Sequence, residues 1–192
     1  VVAATRDIPV VFTAVSDPVG AQLIKSMEKP GRNVTGLSDA LPVNEHLALV
    51  NEIVPSAKTI GYIYNSAEAN SVSTLALLKE AAAKAGLTVV ESVATKSSEV
   101  QGATRALVGK ADVIYVPTDN TIVSAFEAAA GVAAEAKIPL FAADTDSVAR
   151  GAIAALGFNY FDVGKQTGAV VVRILKGEKP GDIPATTAVG TD

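Results

Sequence analysis

Four short segments carry most of the hydrogen-bonding side chains that could do chemistry. They are Thr13-Ala14-Val15-Ser16-Asp17-Pro18, Asn65-Ser66-Ala67-Glu68-Ala69-Asn70-Ser71, Pro117-Thr118-Asp119-Asn120-Thr121 and Ala143-Asp144-Thr145-Asp146-Ser147. Each follows a β-branched or aromatic run and precedes an Ala-rich stretch, so each reads as the turn from a strand into a helix. Taken singly, each is explained by helix capping, for which Ser, Thr, Asp and Asn are the preferred residues. Taken together they suggest a second use. Backbone N–H groups at helix starts can hold a carboxylate, and Asp17, Asp119 or Asp144 could pair with an ammonium group. That chemistry suits a zwitterion such as an amino acid.

Other chemistries find little support. With no cysteine among 192 residues, disulfides, thiolate nucleophiles, Cys-based zinc sites and iron–sulfur clusters are excluded. His46, the single histidine, stands beside Asn44, Glu45 and Asn51 and is expected on a solvated helix face, so no Ser-His-Asp arrangement is supported. Asp144-Thr145-Asp146 resembles a short divalent-metal motif but brings only two carboxylates, and capping explains it better. Gly102 to Gly109-Lys110 and Gly157 to Gly164-Lys165 miss the phosphate-loop spacing and its Ser/Thr. Asn33-Val34-Thr35 is a formal glycosylation sequon of a kind that arises by chance. Neither a cofactor nor a metal is expected, and no catalytic residue is assigned.

The elements that must position these loops alternate as βα units. Strands are expected at Ile8–Val15, Asn33–Leu37, Thr59–Tyr64, Thr88–Val93, Val113–Val116, Pro139–Ala142 and Ile153–Leu156. Helices are expected near Val19–Met27, Pro42–Val54, Val72–Ala85, Glu99–Val108, Ile122–Ala136 and Phe161–Leu175. The strands read as nearly continuous apolar runs, as parallel strands covered on both faces do. Gly86 stands where a left-handed helix stop belongs, and Ser98 with Gln101 matches a capping box. In such doubly wound sheets ligands bind beyond the carboxyl ends of the strands, where all four polar segments lie. Tyr160, in the turn before the last helix, offers an apolar face and a polar tip suited to a ligand wall.

Composition agrees. Apolar residues make up 49% and charged residues 19%, enough to close a core and too apolar for a disordered chain. Sixteen Lys and Arg against twenty Asp and Glu leave a net charge of −4, with no electrostatic footprint for nucleic acid or an anionic membrane. No apolar run reaches eighteen residues, and the opening VVAATRDIPVVF lacks the pattern of a secretory leader. Because only seven residues precede Ile8, the first strand is expected to draw its neighbours from late in the chain or from outside it.

At the same loops the chain resembles a family. Ile8-Pro9-Val10-Val11-Phe12-Thr13-Ala14-Val15-Ser16-Asp17-Pro18-Val19-Gly20, Gly31-Arg32-Asn33-Val34-Thr35-Gly36, Glu68-Ala69-Asn70-Ser71, Tyr115-Val116-Pro117-Thr118-Asp119-Asn120-Thr121 and Gly164-Lys165-Gln166-Thr167-Gly168 are similar, in order, to the ABC-transporter substrate-binding proteins of the tryptophan/tyrosine-type uptake family. The resemblance implies an α/β, doubly wound parallel-sheet fold of the type I periplasmic-binding-protein kind, with a ligand held between two lobes that close on it. One lobe would be nearly complete (residues 39–151). The other would be represented by a remnant (1–38) and a return segment with a hinge crossing (152–192), without its opening strands.

The resemblance also implies a non-catalytic role: binding a small ligand, an amino acid and in known members an aromatic one, for an ABC permease. The setting would be the periplasm or, lipid-anchored, the cell exterior. Ser16 and Asp17 would line the cleft from one lobe, Asn70, Ser71, Asp119 and Asn120 from the other, with Asp144 and Tyr160 as further members. Exposed sheet edges offer a route to a homodimer. The alternative is the ligand-sensing domain of a transcriptional regulator or receptor, since the same fold serves both. A flavodoxin-like or nucleotide-sugar enzyme would need a general base or phosphate loop that the sequence lacks.

Overall fold

The computed structural model describes residues 1–190 and divides the chain into two compact units, Val1–Ala40 with Phe158–Asp192, and Leu41–Gly157. The second unit is built on five parallel strands, β3 (Thr59–Tyr64), β4 (Thr88–Val93), β5 (Val113–Val116), β6 (Leu140–Ala142) and β7 (Ala154–Ala155). They lie in the order β4-β3-β5-β6-β7. The connections reverse direction between β3 and β5, and this is the switch point at which open α/β sheets open a crevice at their carboxyl edge. The helices are α1 (Val43–Ile53), α2 (Ala69–Lys84), α3 (Val100–Arg105), α4 (Asn120–Ser124) and α5 (Phe126–Ala136).

Helices cover both faces of this sheet, as its apolar strands require. On one face Ile63, Ile114, Val116 and Leu140 pack with Leu107, Ile122, Phe126 and Ala129. On the other Ile60, Tyr62, Tyr115 and Phe141 pack with Leu47, Val50, Leu75 and Leu78. Alternation along β3 explains the partition, since Ile60, Tyr62 and Tyr64 share one face and Ile63 takes the other. Gly86 follows α2 at φ 72°, the left-handed stop expected there.

The first unit is smaller. β1 (Val10–Thr13), β2 (Val34–Ser38) and β8 (Thr186–Thr187) form a parallel sheet in the order β1-β2-β8, with α6 (Tyr160–Leu175) in contact with β1 and β2. Thr35 Oγ1 donates to the Ile183 carbonyl at 2.8 Å, tying β2 to the late segment. β8 was not anticipated, because two exposed threonines carry no strand pattern. The late segment does supply a strand, but it pairs with β2 and not with β1.

Several expectations are corrected. No helix forms at Val19–Met27: the Gly20 amide donates to the Asp17 carboxylate at 2.7 Å and Gln22 is left-handed at φ 57°, so the segment closes as turns. The helix expected over Ile122–Ala136 breaks at Ala125, whose φ of −125° leaves the helical range. The Ser98–Gln101 capping box is not made. Glu99 instead accepts from the amide and hydroxyl of Thr95, and a 3₁₀ turn at Ser97–Glu99 leads into α3. Finally, β7 pairs with β6, so Ile153–Gly157 belongs to the second unit and not to the return segment that was placed from residue 152.

Candidate functional site

At the switch point of the second unit, the turns after β3 and β5 are bound together by two carboxylates. Asp119 is fully buried. Its Oδ2 accepts from the Asn65 amide at 2.7 Å and from the Ser71 hydroxyl at 2.6 Å, and its Oδ1 caps α4 by accepting from the Ile122 amide at 2.9 Å. Glu68 fills the rest of that helix start. Its Oε2 accepts from the Asn120 amide (2.9 Å) and side-chain Nδ2 (2.8 Å), and its Oε1 accepts from the Thr121 amide (3.0 Å) and hydroxyl (2.9 Å). Asn65 Nδ2 donates to Thr121 Oγ1 at 2.8 Å, and Asn70 Nδ2 to the Thr118 carbonyl at 2.9 Å.

The electrostatics of the two carboxylates differ. Burial pushes Asp119 upward, with the Glu68 charge acting the same way, against the pull of its donors Ser71, Asn65 and Ile122. For Glu68, burial also acts upward, but the donors on Asn120 and Thr121 outweigh it and hold the group below the usual carboxylate range. Both side chains are therefore committed to joining the loops.

This geometry changes the expected assignments. Asn70, Ser71, Asp119 and Asn120 are brought together as anticipated, yet Ser71 and Asp119 lie inside the rim, since Asp119 already takes three donors and Ser71 is buried against it. The α4 amides, offered above as a carboxylate seat, are occupied by the protein's own acids. α2 is different, because its N-cap residue, Glu68, makes no side-chain cap bond to its first turn, where Asn70 and Ser71 sit. Asp144 is turned onto its own 3₁₀ turn, Thr145–Val148, accepting from the Asp146 amide (3.2 Å) and the Ser147 hydroxyl (2.8 Å). Among the described residues no group of three or more His, Asp or Glu side chains could hold a metal ion.

The first unit has its own polar group beyond the carboxyl ends of β1 and β2. Ser16 Oγ donates to Asp39 Oδ1 at 3.0 Å and Tyr160 Oη to Asp39 Oδ2 at 3.2 Å, while Ser38 Oγ donates to the Ser16 carbonyl at 3.1 Å. Asp17 lies alongside in sequence, its carboxylate closing the turn at Gly20, where a Cβ would come within 2.2 Å of it. α6 starts here, capped by Asn159, whose side chain accepts from the Phe161 and Asp162 amides. Asn33 of the sequon is buried and its side-chain nitrogen donates to the Ile8 carbonyl, which leaves no room for a glycan.

The family model for ABC transporter substrate binding proteins matches residues 1–192. The chain belongs to this family. A tyrosine-binding protein of Clostridioides difficile (strain R20291) is 48% identical over 189 residues, covering 98% of this chain and 55% of that protein. Among solved structures, a conserved domain protein from Vibrio cholerae superposes with a TM-score of 0.95 at 53% identity, covering all of this chain and 64% of that one. The ABC domain from Streptococcus pneumonia in complex with L-Trp gives 0.93 at 37% identity, covering 99% and 66%. The family member described here thus spans between half and two thirds of the length of these relatives. A LacI family transcriptional regulator from Bifidobacterium animalis, at 13% identity and a TM-score of 0.67, shares the fold alone, which leaves the regulator alternative without support at the level of sequence.

Sequence reasoning passed over Asn65, Glu68, Thr121 and Asp39 as site residues. Glu68 gave no spacing signal because the helix it caps begins 52 residues later. Asn65, directly after β3, could have been found by asking which side chain joins the two turns at a switch point.

Proposed function

We propose that this chain is the ligand-holding part of an extracytoplasmic substrate-binding protein, which binds a small amino acid with an aromatic side chain and delivers it to the permease of an ABC importer without chemical change. The observation that carries this reading is the unequal treatment of two adjacent helix starts at the switch point. α4 is filled by Glu68 and Asp119, whereas the N-cap residue of α2 makes no side-chain cap bond to that helix's first turn. The positive end of a sixteen-residue helix, with Asn70 beside it, is suited to an α-carboxylate. Asn70 and Asn120 are the rim side chains we assign to ligand contact in the second unit, and Ser16, Asp17 and Tyr160 in the first, with Ser71, Asp119 and Asp144 shaping the loops.

Support for an aromatic amino acid comes from relatives, one described as tyrosine-binding at 48% identity and one solved with L-Trp at 37%. A periplasmic or lipid-anchored extracellular setting, in which the protein meets its permease at the membrane surface, is part of the proposal; no helix among the described residues is long and apolar enough to cross a membrane.

Isothermal titration against the twenty amino acids tests the proposal. L-tyrosine or L-tryptophan should give saturable one-to-one heat, and ligand at a hundredfold excess over Kd should add about 2.7 kcal/mol to unfolding stability. Saturable binding of sugars or nucleotides with none to amino acids would overturn it.

A further inference from the structure

The first unit sorts its charges to opposite edges of its sheet. Asp17 and Asp39 stand beyond the carboxyl ends of β1 and β2. At the amino edge six exposed cations gather from three stretches of chain: Arg6; Lys25, Lys29 and Arg32; and Lys176 with Lys179. The stretch around Arg6 is tied to the start of β2, because Asn33 donates to the Ile8 carbonyl. Lys25 and Lys29 flank the approach to that strand, the Lys25 amide donating to the Pro30 carbonyl at 3.4 Å, and Arg32 follows. α6 starts at the carboxyl edge, where Tyr160 meets Asp39, and passes the end of β1, where Thr167 bonds to Thr13 at 2.7 Å. Its last residues therefore reach the amino edge, and the turn after Lys179 rests on Arg32, since a Cβ on Gly181 would come within 2.3 Å of the Arg32 carbonyl.

These charges are not neutralised within the fold. None of the six enters an ion pair among the described residues, whereas Arg173 beside them is held by Glu178. The other carboxylates at this edge are fewer, namely Asp7, Glu28 and Asp182. Arg32 moreover holds a left-handed backbone, φ 60°, where glycine is the relaxed choice, so its guanidinium is kept at a cost to the fold. Leu175 stands beside the cations with 80% of its surface exposed. Cations around a protruding leucine suit an anionic lipid surface, whose phosphates take the charge and whose acyl boundary takes the apolar side chain. An acidic peptide would leave the leucine in water.

We infer that the amino edge of the first unit is a membrane-contact surface that binds anionic phospholipid headgroups and turns the carboxyl edge of that unit away from the bilayer. The net charge of −4 conceals this surface. All of it belongs to the second unit, with eight Lys and Arg against twelve Asp and Glu, while the first unit is balanced overall and polarised.

Co-sedimentation of the chain with phosphatidylglycerol or phosphatidylcholine vesicles tests the inference. It needs no amino acid, so its outcome is separate from that of the titrations above. Binding should be confined to phosphatidylglycerol and fall by about tenfold or more as salt rises from about 0.1 to about 1 M, which shortens the Debye length from about 10 to about 3 Å. Arg32→Gln, Lys176→Gln and Lys179→Gln combined should weaken it by about 100-fold, at about fivefold per charge. Arg32→Gly should lose about fivefold with a Tm at or above wild type, which separates the charge from the stability of the fold. Leu175→Ser should lose about fivefold for vesicles and leave binding to soluble polyglutamate unchanged. Equal sedimentation with both vesicle types, or vesicle binding unchanged in the triple variant, would overturn the inference. Indifference to Leu175→Ser, together with tighter binding to polyglutamate than to vesicles, would make an acidic polypeptide the partner and overturn the lipid assignment.

Discussion

Asp119 shows how far a single side chain can be predicted and where prediction stops. Its position as the residue before α4 was legible, because Asp is a favoured cap and the strand-to-helix transition was plain. Its burial was not, because that depends on Asn65 and Ser71, which arrive from another turn. Asp119→Ala would leave two buried amides and a hydroxyl without their acceptor, and chemical denaturation should show a loss of about 3 kcal/mol.

His46 carries a clearer correction. Expected on a solvated face, it is 3% exposed, with its Nδ1 bonded to the Tyr115 hydroxyl and its ring 5.3 Å from that ring, because α1 turns this polar-flanked residue toward the sheet. Burial lowers its pKa from 6.5 to about 4, with the Leu156 backbone acting in the opposite sense. The unfolded chain therefore binds the proton more readily than the folded one. This part of the stability is complete above pH 6.5, declines as pH falls, and amounts to about 3 kcal/mol lost at pH 4 and below. Urea midpoints of wild type and His46→Gln should converge in their pH dependence above pH 7 and diverge below 6, the variant showing the shallower decline.

At the scale of elements, the strands of the larger sheet were legible, and the late strand β8 and the turns after β1 were not. β3, β4 and β5 fall on their expected segments, since β-branched and aromatic runs bounded by turn residues have few other ways to be buried. β7 falls within the strand expected at Ile153–Leu156, whereas the two-residue β8 takes its state from its partner β2, which local sequence does not encode. The helix expected at Val19–Met27 failed for a local reason that could have been read: Asp17 and Gly20 favour a closed turn over a first helical turn. α5 ends on Lys137 in a left-handed conformation, φ 55°, where a side chain is disfavoured. Lys137→Gly should therefore raise stability by about 0.5–1 kcal/mol, seen in thermal unfolding as a rise of about 2 °C.

For the whole molecule, the doubly wound class was legible from the alternation of runs, and the meeting of the Asn65–Ser71 and Pro117–Thr121 turns followed from all five strands of one sheet pointing the same way. The two units should differ in resistance to opening. Leu41–Gly157 has five strands between two extensive apolar clusters, whereas the other unit has three strands and two small clusters, Phe12 with Ile24 and Val34, and Leu37 with Phe158 and Val163. Native-state hydrogen exchange should find the slowest amides in β3 and β5, with those of β1 and β2 opening at lower free energy.

The smaller unit is also assembled from the two extremes of the described chain, Thr35 bonding to Ile183 across 148 positions. Among the described strands β1 and β2 leave the ribosome before β8, so the early pair must wait through the synthesis of everything between before β8 can join it. During that interval Val34 and Leu37, buried in the completed protein, face solvent or a chaperone. Nascent chains arrested once Gly157 has cleared the ribosome, with β8 still inside it, should accordingly bind chaperone through residues 10–38 while the Leu41–Gly157 unit already resists protease.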